Sequence, residues 1–70
     1  MKTETTFIAN GRSRSVKSPC SVAEFVASCG FKTTQVVVER NGAVLDRREL
    51  SNIELCDGDR IELIVPVAGG

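Results

Sequence analysis

The chemistry open to this chain is concentrated at its C-terminal end, where Val67-Ala68-Gly69-Gly70 closes the seventy residues on an α-carboxylate. Gly69 and Gly70 carry no side chains, so they can enter a narrow channel and adopt backbone angles closed to other residues. Pro66 to Gly70 would span on the order of 17 Å if fully extended, enough to carry a carboxylate into a buried active site of another protein. A bare Gly-Gly end by itself reads better as frayed chain. Here, however, the apolar run Arg60-Ile61-Glu62-Leu63-Ile64-Val65-Pro66 leads directly into it, and a core strand at that position would determine where the tail begins. The expected division is a folded domain over residues 1–65 and a tail over residues 66–70.

Other reactive groups offer little. Cys20, Cys29 and Cys56 are odd in number, form no CxxC pair and have no histidine to complete a zinc site. They are read as reduced, structurally incidental thiols, with a redox or sulfur-relay role for one of them as the minor alternative. The absence of histidine also removes the commonest general base. No catalytic residue and no metal ligand is assigned, and catalysis by the chain alone is not expected.

Nine basic and nine acidic residues cancel, which leaves no basic footprint for nucleic acid and no polybasic membrane anchor. No apolar run is long enough for a membrane span, and Met1-Lys2-Thr3-Glu4-Thr5-Thr6 lacks the apolar core of a signal peptide. A cytoplasmic protein is expected. A chain of this size makes one small domain that buries only about 60% of its unfolded surface.

The elements that would hold the tail out can be taken in order. Thr3 to Ala9, Asn10-Gly11 and Arg12 to Lys17 read as a β-hairpin, because Asn-Gly supplies the two positive-φ positions of a type I′ turn. Ser21-Val22-Ala23-Glu24 has the S-x-x-E spacing of a capping box. A helix of about nine or ten residues is expected to follow, with Val22, Phe25, Val26 and Cys29 on its apolar face and Gly30 at its C′ position. Such a helix is too short to stand alone and needs a sheet to pack on. After the linker Phe31 to Thr34, the β-branched run Gln35 to Arg40 predicts a strand that stops at a second Asn-Gly, Asn41-Gly42. A short strand at Ala43 to Leu45 would pair back. Asp46 to Leu55 is the least decided stretch, with a helical turn at Arg47 to Leu50 and with Leu50, Ile53 and Leu55 covering one end of the core. Asp57-Gly58-Asp59 is a turn, and Arg60 to Val65 the final strand.

This order predicts an α+β chain of the β-grasp, or ubiquitin-like, arrangement: a mixed four- to five-stranded sheet with one main helix packed on one face. The right-handed crossover rule allows the third strand to return beside the first, and a last strand beside the first would lie centrally. Strict alternation would put Ile61, Leu63 and Val65 on the helix side of the last strand and Glu62 and Ile64 on the other. Ile64, Val37 and Ile8 then form a candidate partner-docking patch on the outer sheet face, rimmed by Glu39, Arg60 and Glu62. The alternative is that the segment from Asp46 to Leu55 buries one of them.

Asn41-Gly42, the Asp57-Gly58-Asp59-Arg60-Ile61-Glu62 turn into a strand, and the Ala68-Gly69-Gly70 ending, on a chain of this length, resemble the ThiS family of thiamine sulfur-carrier proteins. The similarity spans nearly the whole chain and includes the valine-rich strand before Asn41-Gly42. The Pro66-Val67-Ala68-Gly69-Gly70 ending also resembles MoaD, the small subunit of molybdopterin synthase. MoaD chains are usually longer between helix and last strand, which favours ThiS. Leu45-Asp46-Arg47-Arg48 departs from the Val-Pro-Arg of many ThiS chains.

The resemblance implies that Gly70 is the adenylation and thiocarboxylate site, with Gly69, Ala68, Val67 and Pro66 as the tail that delivers it. In the family, an E1-like, ThiF-like adenylyltransferase activates the terminal glycine using ATP and Mg²⁺, and sulfur from a donor such as a cysteine desulfurase displaces AMP. A ThiG-like thiazole synthase then takes the sulfur. The chain would be a protein cosubstrate rather than an enzyme, monomeric alone and without a cofactor of its own. Two other functions stay open: a sulfur carrier for another pathway, and a ubiquitin-like interaction or modifier module without sulfur chemistry.

Overall fold

The computed structural model describes residues 3–67. Its strands are β1 (Glu4–Ala9), β2 (Arg12–Lys17), β3 (Val37–Arg40), β4 (Ala43–Val44) and β5 (Arg60–Ile64), with one α-helix, α1 (Val22–Ser28), and 3₁₀ turns at Thr33–Gln35 and Arg47–Glu49. The five strands form one mixed sheet in the order β2-β1-β5-β3-β4. β5 runs parallel to β1 and antiparallel to β3. This is the expected β-grasp with the last strand at its centre. Of the two strands that the order allowed beside β1, β5 takes the place, and β3 lies on its far side. Ile61, at 0% exposure, needs cover from the helix and neighbours on both sides, and the centre of the sheet supplies them.

Both Asn-Gly pairs form the turns that their chemistry requires. Asn10 and Gly11 take φ of 48° and 80°, and Asn41 and Gly42 take 53° and 88°. These left-handed angles match the twist of the strands they join. At α1, the Ser21 Oγ accepts from the Glu24 N–H at 3.0 Å and the Glu24 Oε1 accepts from the Ser21 N–H at 3.1 Å. Each carries off a backbone donor that the first helical turn leaves unpaired. The helix is seven residues, shorter than the expected nine or ten. Cys29 is its C-cap, with an N–H that still donates to the Phe25 carbonyl at 3.1 Å, and Gly30 follows at φ 88°.

Four strand boundaries also move inward, the first at Glu4, where β1 begins one residue after the expected Thr3. Gln35 belongs to a 3₁₀ turn whose Gln35 Oε1 accepts from the Lys32 N–H, so β3 begins at Val37. β4 stops at Val44, although the Leu45 N–H still donates to the Val38 carbonyl at 2.9 Å. β5 ends at Ile64, one residue before the expected limit.

α1 lays Val22, Phe25 and Val26 onto the inner sheet face, where Phe7, Ala9, Val38 and Ile61 are buried with Leu50 and Leu55 from the loop. The Phe7 and Phe25 rings meet edge to face with centroids 4.9 Å apart, a favoured geometry for two aromatic quadrupoles. From β2, the Arg14 guanidinium lies over the Phe25 ring, 5.2 Å from its centroid. The start of β5 is fastened by Asp59, which is buried and accepts from the Cys56 N–H at 2.8 Å, Arg40 Nε at 3.1 Å and Asn41 Nδ2 at 3.1 Å. Burial pushes this carboxyl up, and the hydrogen bonds from Cys56, Asn41 and Arg40, with the Arg40 charge, outweigh it and hold it below the ordinary range.

Candidate functional site

The site is assembled around the end of β5. Ile64 and Val37 are direct cross-strand partners, so they stand side by side on the outer face. Ile64 is 43% exposed, and the segment from Asp46 to Leu55 does not cover it. Ile8 shares this face at 37% exposure, but its register partner is Arg60. It therefore lies about 13 Å along the strand direction from Ile64, at roughly 3.3 Å per residue. The expected three-residue patch is thus an Ile64–Val37 pair and a separate Ile8, with Arg60 and Glu62 between them.

The rim has an electrostatic feature that strand assignment alone did not disclose. Glu39 and Glu62 are register partners across β3 and β5, and like charges placed opposite each other repel. Val44, 65% exposed, pairs with Glu39 on the far side and adds apolar surface to the same face. Sequence reasoning missed Val44, and the signal was its place at odd spacing in the short strand after Asn41-Gly42. Glu39, Asn41, Gly42, Gly58, Arg60 and Glu62 border an open polar depression of about 550 Å³ at the other end of this face.

On the helix side the strand end borders a second concavity. Phe25, Phe31, Leu63 and Val65 line an apolar groove of about 280 Å³ with Arg12 and Arg14 at its edge. Phe31 had been read as linker, and only the return of the chain after Gly30 brings it to β5. Val65 does not enter the core as alternation predicted: it is exposed, one residue past the end of β5 and at the mouth of this groove. The outgoing chain thus leaves the sheet between two partly apolar surfaces. Pro66 and Val67 continue outward, Val67 at 91% exposure. Ala68, Gly69 and Gly70, which carry the expected chemistry, lie outside the described residues.

The three cysteines differ in their surroundings. Cys20 is half-buried beneath α1, where burial and the Glu24 carboxylate push its thiol up, which keeps it protonated and unreactive. Cys29 borders the helix-side groove, and Cys56 is exposed in the turn before β5. Among the described residues no cluster of histidine, cysteine, aspartate or glutamate could hold a metal ion, and no helix is long and apolar enough to cross a membrane.

Comparison with known proteins follows the same geometry. The fold matches the crystal structure of the thiamine biosynthesis protein ThiS from Geobacter metallireducens with a TM-score of 0.78 and 28% identity, covering 94% of this chain and all (100%) of that one. The solution structure of a thiamine biosynthesis protein from the same organism gives 0.75, covering 94% of this chain and 88% of that one. Sulfur carrier protein ThiS of Bacillus subtilis is 33% identical over 54 residues, 77% of this chain and 82% of its own length. Thiazole synthase of Paramagnetospirillum magneticum is 25% identical over 63 residues, 90% of this chain, but the chain spans only 19% of that protein. The ThiS family model matches residues 5–70, from the second residue of β1 through the Gly-Gly end. With its sheet order, its central β5 and its terminal glycines all inside that match, the chain belongs to the ThiS family.

Proposed function

We propose that this protein is a sulfur carrier for thiamine biosynthesis, acting through a thiocarboxylate on Gly70. The observation that carries the reading is the family match that runs unbroken to Gly70, on a fold that brings the chain out of the central strand at Ile64.

The chemistry follows from the carboxylate. Ionised at neutral pH, with an ordinary pKa of roughly 3.3 to 3.7, it is a poor electrophile and must first be activated. An oxygen of the Gly70 carboxylate attacks the α-phosphorus of ATP, pyrophosphate leaves, and a mixed acyl-phosphate anhydride forms. The outer sulfur of a persulfide on the donor then displaces AMP to give an acyl disulfide. A thiol attacks the donor-side sulfur of that disulfide, so that the S–S bond breaks, the thiocarboxylate leaves on Gly70 and the donor sulfur ends in a disulfide with the thiol. ATP and Mg²⁺ are bound by a ThiF-like adenylyltransferase, so the carrier contributes the tail and a surface to dock. The sulfur donor is a cysteine desulfurase or related enzyme.

The acceptor is a ThiG-like thiazole synthase. In support, a stretch similar to nearly the whole of this chain lies within the Paramagnetospirillum protein that bears that name. The Ile64–Val37 pair, with Val44 and Glu39 beside it, is the docking face, since a partner seated there is next to the outgoing tail. A basic side chain on that partner would relieve the Glu39–Glu62 repulsion.

Deletion of Gly70 tests the reading. The truncated protein is expected to keep its fold by circular dichroism and to lose ATP–pyrophosphate exchange with the activating enzyme. Retained exchange overturns the assignment. A complementary check is the mass of the C-terminal peptide from protein isolated from thiamine-producing cells, which should show one oxygen replaced by sulfur.

A further inference from the structure

The amide side chain of Asn10 does something that its turn does not need. Asn10 Oδ1 accepts from the Leu63 N–H at 2.7 Å, and Asn10 Nδ2 donates to the Leu63 carbonyl at 3.1 Å. The two bonds together reproduce what a further peptide unit of β1 would offer. Up to that point the parallel ladder is built by backbone, with the Ile8 N–H donating to Asp59 and the Asn10 N–H to Ile61, both at 2.9 Å. At Asn10 the backbone turns away at φ 48°, and the side chain carries the ladder one step further. N–H and C=O of one strand residue point to the same side, and those of Leu63 point towards β1, where the turn leaves no strand to meet them. Asn10 is therefore the last anchor of β5 on that side, two residues before Val65.

The second Asn-Gly turn provides an internal contrast. Asn41 also bonds β5 through its side chain, its Oδ1 accepting from the Arg60 N–H at 2.8 Å and its Nδ2 donating to Asp59. That clamp holds the entry to the strand, at the end away from the tail.

We propose that Asn10 is a positioning residue for the carrier reaction: its amide fixes the exit direction of β5, and hence where Gly70 is presented to the activating enzyme. This inference rests on the carrier reading above. Gly70 is seven residue steps beyond Leu63, about 23 Å at full extension, so a small change of direction at Leu63 is a displacement of several ångströms at the carboxylate. Displacements of that order from attack geometry cost reactions about 10²-fold per ångström in a rigid case. A partial displacement costs less, and about 10-fold is expected.

Asn10→Gly keeps the left-handed turn while deleting the clamp, because glycine accepts positive φ without strain. With the activating enzyme, kcat for adenylation is expected to fall about 10-fold while the affinity of the complex changes less than about 2-fold, since no docking residue is altered. Asn41→Gly, destabilised to a similar degree, should retain kcat. By NMR, Leu63 amide exchange should rise and the order parameters of Val65 and Val67 should fall in Asn10→Gly alone. Asn10→Asp, which keeps the acceptor for the Leu63 N–H and lacks the donor, should lie between. Unchanged kcat in Asn10→Gly, or an equal loss in Asn41→Gly, overturns the inference while the carrier reading stands. A wild-type protein that is not adenylated overturns the carrier reading and this role with it.

Discussion

Ile61 and Ile64 are the same residue type three positions apart on one strand, and they face opposite worlds. Ile61 is fully enclosed between α1 and the sheet, whereas Ile64 is 43% exposed beside Val37. The inner position is surrounded by apolar atoms that already fill their space, so its contribution is to stability. The outer position gains little on folding and leaves apolar surface available beside the tail. Substitutions on the two faces should therefore separate folding from partner recognition, and the same strand serves both.

The largest expected effect is at Ile61. Ile61→Ala should cost about 2–5 kcal/mol in a urea titration, from lost transfer energy and the cavity left behind. A loss below 1 kcal/mol would mean that the inner face repacks, and the contrast between faces would weaken. The next effect concerns how β5 is fastened at its start. Asp59→Asn should cost about 2 kcal/mol at neutral pH, through charge-assisted bonds to Arg40 and the Cys56 N–H. Because the folded-state pKa of Asp59 is depressed, its contribution is complete above the unfolded value of about 3.9 and is lost as pH falls through the folded one. The gap between wild type and Asp59→Asn should therefore be full near pH 6 and close below about pH 4. A gap that grew on acidification would contradict the assigned sign.

On the outer face the order of effects reverses. Ile64→Thr keeps a β-branched residue and should change stability by less than about 0.5 kcal/mol. It should nevertheless weaken binding of the activating enzyme about 10-fold, as loss of a central interface side chain does. Equal losses of stability and binding would show that Ile64 is structural. The smallest effect has the opposite sign. Glu62→Gln removes the repulsion with Glu39 and should raise stability by about 0.2–1 kcal/mol, while lowering affinity for a partner with a basic contact. Loss of stability on this substitution would indicate that Arg60 already neutralises the pair.

Much of the architecture was legible because short-range rules govern it. Asn10-Gly11 and Asn41-Gly42 could be placed because few residue pairs accept two positive φ values in succession. Ser21 and Glu24 marked the helix start through their own reciprocal bonds. The boundaries were less legible: the helix end, the start of β3 and the end of β5 each depend on which neighbour is present to pair or cover. Val65 shows the limit most clearly. Alternation assigned it to the core, but the strand ends at Ile64 and Val65 lies exposed at the mouth of a groove whose other wall, Phe31, comes from a segment read as linker.

Sequence by itself determined the turns, the capped helix, the apolar strand leading into Gly69-Gly70, and the family to which they point, because each resides in adjacent residues. Only tertiary structure decided that Ile8 stands apart from Ile64 and that Glu39 opposes Glu62. It alone showed that Asn10 reaches across fifty-three positions to hold Leu63. These are facts of register, and register is set by which strands meet when the core closes, information that no local pattern contains.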